Sequence, residues 1–162
     1  MPVPAGPSDL PSWAPSLSEV ADYCTARTLV PQPDGSNLEV DSFTASTRPT
    51  DTQVNRIIAD ACGWVTLKCG TLDASLGAAG NSVAAQRSAG FIELRFPERS
   101  HLPREDAIAT AKELLKEADK ARDDLQRANE LLTGEDPTDA GVAVVLPYWS
   151  FPEPSPVGDL TL

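Results

Sequence analysis

Nucleophilic, acid–base and metal chemistry near neutral pH depends mostly on His and Cys, and this chain holds one His and three Cys in 162 residues. His101 stands beside Ser100 between two predicted helices, and nothing around it pairs a nucleophile with a base that a third group could orient. It reads as a surface or helix-capping side chain. Cys62 and Cys69 are seven residues apart on one predicted helix, and Cys24 lies far upstream. That spacing lacks the paired ligands of a zinc site, so buried free thiols are the expectation. The run Gly77-Ala78-Ala79-Gly80 has the small residues of a phosphate-cradling loop, but no Lys follows in the required place and no strand precedes it. The reading is therefore of a chain with no catalytic residues, no cofactor and no metal.

The elements around these residues are helical. Thr50 stands at an N-cap position and Gln53 follows three residues later, a capping box with Asp51 adding negative charge to the first turn. Val54, Ile57, Ile58, Ala61 and Val65 then recur at three- and four-residue steps, the apolar stripe of a helix from Thr50 to about Lys68 with Gly70 as its stop. Asn55, Arg56 and Asp60 face elsewhere. A second capping box, Ser16 with Glu19, starts a helix over about 17–27 that buries Leu17, Val20, Ala21 and Cys24. The segment Val30 to Ser42, with Pro31, Pro33 and Asp34-Gly35, reads as a loop. Thr71 to Gly80 reads as small and flexible.

Asn81-Ser82 can cap a third helix over about Ser82 to Phe96, with Val83, Ala84, Phe91, Leu94 and Phe96 as its core and Pro97 ending it. Gly90 in its middle predicts close helix packing or a break. The longest helix covers about 104–133, opens after Pro103 and stops at Gly134. Its inward stripe is Ala107, Ala111, Leu114, Leu115, Ala118, Leu125, Ala128 and Leu132. Its outer face sets Glu113 with Lys116, Glu117 with Lys120, Asp119 with Arg122, and Asp124 with Arg127. At 1.5 Å per residue this helix reaches about 45 Å. The fold class expected is all-α: a small bundle of about four helices between extended, proline-rich N- and C-terminal arms, divided as arm 1–15, helical domain 16–133 and tail 134–162.

The phrase Phe43-Thr44-Ala45-Ser46-Thr47-Arg48-Pro49-Thr50, followed at once by Gln53-Val54 and the Ile57-Ile58 pair, resembles the head-to-tail adaptor (connector) proteins of long-tailed bacteriophages of actinobacteria. The resemblance covers roughly residues 16–133. It implies a non-enzymatic virion protein at the head–tail neck, synthesised in the host cytoplasm. Such a subunit assembles as a homo-oligomeric ring, twelvefold in that family, beneath the portal protein. The ring would join a distal neck, stopper or tail protein and continue the channel through which DNA passes without specific binding. Ring contacts are expected on the loop before the second helix and on the long helix, at Phe43, Arg48, Lys116, Lys120 and Arg127.

Composition agrees with assembly rather than with nucleic-acid binding. The net charge is −11, whereas sequence-independent binding of nucleic acid needs Lys and Arg to displace counterions. Acidic groups lining a channel would keep duplex DNA from adhering. The acidity sits at the ends: beyond Gly134 come Glu135, Asp136, Asp139, Glu153 and Asp159 with no Lys or Arg. No apolar run approaches the roughly twenty residues of a membrane span. In the tail, Val142, Val144, Val145 and Leu146 form a β-branched apolar run, and Tyr148, Trp149 and Phe151 follow. These residues are candidates for gripping the portal by strand addition with aromatic anchors. The proline-rich N-terminal arm carries Trp13. A helical interaction module, an assembly chaperone or regulator with an acidic tail, is the alternative reading.

Overall fold

The computed structural model describes residues 10–24, 28–97 and 102–134, and these form a mostly helical bundle. Its elements are α1 (Leu17–Ala21), β1 (Leu29–Pro31), β2 (Asn37–Glu39), α2 (Asp51–Cys69), α3 (Gly77–Arg95) and α4 (Arg104–Thr133). The all-α expectation stands, with a two-stranded hairpin added. The first predicted helix is shorter than the expected 17–27: it stops at Ala21, and Tyr23 N and Cys24 N close i→i+3 turns on Val20 O and Ala21 O instead of continuing it. His101, the tail candidates Val142, Val144, Val145, Leu146, Tyr148, Trp149 and Phe151, and residues 25–27 lie outside the described residues.

Both capping boxes form. Glu19 N donates to Ser16 Oγ at 3.3 Å and Ser16 N donates back to Glu19 Oε2 at 2.7 Å. At α2, Gln53 N donates to Thr50 Oγ1 and Thr50 N donates to Gln53 Oε1 at 3.0 Å. All five stripe residues of α2 are buried, joined by Cys62 and Cys69. The phrase before α2 is a closed turn. Thr47, with no exposed surface, accepts from Thr44 N at 2.9 Å, and its hydroxyl lies 2.8 Å from both Thr44 O and Pro49 O, one of which takes its single proton. Phe43 and Pro49 are buried beside it, and Asp51 N donates to Thr44 O at 3.1 Å.

The expectation of a loop over Val30 to Ser42 is corrected. Leu29, Val30 and Pro31 pair antiparallel with Glu39, Leu38 and Asn37. The turn explains it: Gly35 at φ +84° takes the left-handed position of a three-residue hairpin loop,. Asp34 Oδ1 accepts from Ser36 N at 2.9 Å, and Gln32 N closes on Ser36 O at 2.8 Å. The hairpin is short and largely exposed, so alternation of apolar residues could not announce it.

The start of α3 is also corrected. The helix begins at Gly77, five residues before the expected Ser82, and Asn81 and Ser82 lie inside it. Asp73 caps a 3₁₀ turn, Ala74–Leu76, through Ser75 N at 2.8 Å, and the turn runs directly into α3. Gly77 and Gly80 are therefore helical, and the role of Gly80 is room: a Cβ there would stand 2.5 Å from Leu72 Cδ1 and 3.2 Å from Trp13 Cε3. Gly90 packs closely, as expected, and no break occurs. A Cβ there would meet Leu115 Cγ at 2.9 Å and Ala111 O at 3.3 Å.

Helix α3 is central, packing on α1, α2 and α4. Two predicted core residues are exposed instead. Leu94 is turned about 200° from buried Ile92,. Leu132 lies beyond the point where α2 ends, so the last turn of α4 has no helix to bury it. The inward position near that end is Asn129, 5% exposed. Its Nδ2 donates to Cys69 O (2.9 Å) and Thr71 O (3.1 Å), and its Oδ1 accepts from Asp73 N (2.9 Å). One side chain thus satisfies the end of α2 and the chain leading into α3.

Candidate functional site

The densest polar and aromatic cluster among the described residues lies where α2, α3 and α4 meet. Trp64 of α2 has the guanidinium carbons of both Arg87 (α3) and Arg122 (α4) 3.7 Å from its ring centroid. Two guanidiniums at that height cannot share one face, so the indole is sandwiched between them. Arg87 also stands 4.9 Å from the Phe91 centroid, and Arg95 stands 5.6 Å from the same ring. Residues 87, 91 and 95 are successive i, i+4 steps, which aligns them on one flank of α3.

Charge at this cluster is unevenly matched. Asp119 lies 3.7 Å from Arg87 Nη1 and 4.0 Å from Arg122 Nη2, and its side chain is 60% exposed. One carboxylate thus serves two largely buried guanidiniums. Burial lowers the Arg87 pKa first, Asp119 opposes that, and the neighbouring Arg122 charge adds to the lowering. Arg122 Nε is buried without a hydrogen-bond partner. Lys68 pairs with Asp123 close by, and that contact lowers the Asp123 pKa. Stacking on the indole compensates part of the desolvation, at roughly 0.5 to 2 kcal/mol per cation–π contact.

Beside the sandwich, Ile57 and Asp60 of α2 and Arg87, Phe91 and Arg95 of α3 line a cleft of about 120 Å³. That volume suits one small planar group. The cleft offers guanidinium donors over an aromatic floor, a chemistry that binds carboxylates. It contains no nucleophile paired with a base. Among the described residues no three His, Cys, Asp or Glu side chains gather as a metal would need. Burial pushes the Cys62 thiol up to about 11 and raises Cys69, leaving both protonated and unreactive near neutral pH,.

The residues expected at ring contacts separate. Phe43 is 3% exposed, so it is a core side chain and has no surface to offer a neighbour. Arg48 is exposed, with Nη1 donating to Thr47 O at 3.3 Å. Lys116, Lys120 and Arg127 are exposed on α4. Of the four expected pairs on α4, Asp119 with Arg122 (4.0 Å) and Asp124 with Arg127 (3.5 Å) form. Glu113 with Lys116 and Glu117 with Lys120 do not come within 4 Å, because exposed long side chains gain little from holding one geometry,.

Sequence reasoning missed Trp64, Arg87 and Asn129, and it set Arg122 on the outer face of α4, whereas the structure largely buries it against Trp64. The arginines are 35 positions apart on different helices, and no local spacing links them. Asn129 did leave a signal, being polar one step from Leu125 on the inward stripe of α4.

No helix among the described residues is long and apolar enough to cross a membrane. Comparison with family models, curated proteins and solved structures finds no match to this chain.

Proposed function

We propose that this chain is a structural assembly subunit, a head-to-tail adaptor that forms a ring beneath a phage portal and continues the DNA channel toward the tail. The reading rests on the resemblance over Phe43–Ala61 and on one observation in the fold. At the end of the bundle where Asn129 ties α4 to α2, Leu67 is 90% exposed, Leu131 87% and Leu132 57%. Three leucines in water at one end, next to the point where the chain continues beyond Gly134, favour a surface that is covered on assembly. The subunit acts by contact, with partners in the portal, in neighbouring copies and in a distal neck protein.

The test is the mass of the full-length chain by light scattering after size exclusion, alone and with the portal, beside a truncation ending at Gly134. Portal binding or a ring-sized mass for the full-length chain supports the reading. Loss on truncation assigns the grip to the tail. A monomer that neither binds portal nor assembles overturns it in favour of the interaction module.

A further inference from the structure

Two flanks of the bundle carry ionic groups that the fold leaves incompletely paired. On one flank, Arg87 and Arg95 face the cleft over Phe91, and Asp119 is shared between Arg87 and Arg122. Among the exposed cations Lys116, Lys120 and Arg127 of α4 stand the exposed carboxylates Glu113 and Glu117, four residues apart. At 100° per residue they fall within an arc of about 40°, turned about 140° from Asp119 and thus away from the cleft. Glu113 and Glu117 have no basic group within 4 Å among the described residues. Each subunit thus presents a cleft with two guanidiniums on one side and, on the other, two carboxylates left unpaired among exposed lysines. Two different, complementary surfaces are what a heterologous contact between identical copies requires, and such a contact closes into a ring when its rotation allows.

We propose that the α2–α3 cleft is an intersubunit site in which Arg87 and Arg95 of one copy receive the Glu113 or Glu117 carboxylate of a second copy. The inference rests on the ring reading above and names its contact. A carboxylate side chain suits the cleft better than a phosphate does. The cleft is small, its floor is Ile57 and Phe91, and Asp60 at its wall opposes a second negative charge,. The incoming carboxylate would supply an acceptor to Arg87, which shares Asp119 with Arg122, and to Arg95, which has no carboxylate within 4 Å among the described residues. It would also relieve the repulsion between Arg87 and Arg122.

Disulfide capture tests this directly on the full-length chain, whose native cysteines are buried. Copies carrying Arg95→Cys are mixed with copies carrying Glu117→Cys and oxidised mildly. The control mixture replaces Glu117→Cys with Ser82→Cys, an exposed site on α3. The proposal expects heterodimer about tenfold above the control, suppressed by high salt, as befits a contact steered by complementary charge. Equal yields in the two mixtures overturn it. Light scattering of the unsubstituted protein separates the two readings. A ring-sized mass without the Arg95–Glu117 cross-link retains assembly and discards this contact, and a monomer without the cross-link discards both.

Discussion

At the residue scale, Asn129 is the side chain whose loss costs most for its size. Three backbone groups, Cys69 O, Thr71 O and Asp73 N, depend on it in a buried setting. Asn129→Ala is expected to lower stability by about 3 kcal/mol, since each buried group left unsatisfied costs roughly 1–3 kcal/mol and some admit water. Urea denaturation gives the difference, and a loss under about 1 kcal/mol would show that the clasp is dispensable. The glycines offer a matched pair. Gly63 is exposed in α2 with nothing within 4 Å of a built Cβ, whereas Gly90 meets Leu115 and the α4 backbone. Gly63→Ala should stabilise by about 0.5–1 kcal/mol through helix propensity. Gly90→Ala should destabilise by about 1 kcal/mol net, because overpacking outweighs the same propensity gain. Opposite signs in thermal melts confirm the packing.

At the element scale, caps and turns tie helix starts to pH. Glu19 is held below its ordinary value of 4.5 by hydrogen bonds from the Ser16 backbone and hydroxyl, and Asp73 below 3.8 by Ser75. A carboxylate whose pKa is lowered in the folded state stabilises above its ordinary value and loses that contribution as pH falls through the folded one. Thermal stability should therefore change little from neutral pH down to the ordinary carboxylate range and fall below it. The Asp73→Asn variant should show a shallower acid limb. An unchanged acid limb would remove Asp73 as a contributor. Thiols give a second readout. With Cys62 pushed up to about 11 by burial and all three cysteines buried, a thiol reagent at mildly alkaline pH should label none until denaturant is added,. Labelling of native protein at unfolding-independent rates would contradict the packing of α2.

For the whole molecule, the exposed leucines and the divided charge determine what the surface can meet. Leu67→Glu with Leu131→Glu should leave folding stability within about 0.5 kcal/mol, since neither side chain is buried,. The same variant should abolish assembly or portal binding if that end is the covered surface. Intact binding by the double variant would move the interface elsewhere. The structured body is near charge balance through α2 and α3, while the acids beyond Gly134 account for much of the net −11. Contacts through the body are therefore open to close pairing, with the long-range repulsion carried largely by the ends.

The α2 stripe, both capping boxes and the bounds of α4 were legible in the sequence, because each follows from residues within a turn or two of one another. Composition likewise determined an acidic chain, and periodicity a helical one. Only the tertiary structure decided that Phe43 is core, that Asn129 clasps two chain segments, and that Trp64 lies between Arg87 and Arg122. Those outcomes depend on which faces of α2, α3 and α4 meet. Helix period places a residue on a face, but the partner of that face is chosen by the packing of all three helices at once, over separations that local spacing does not record.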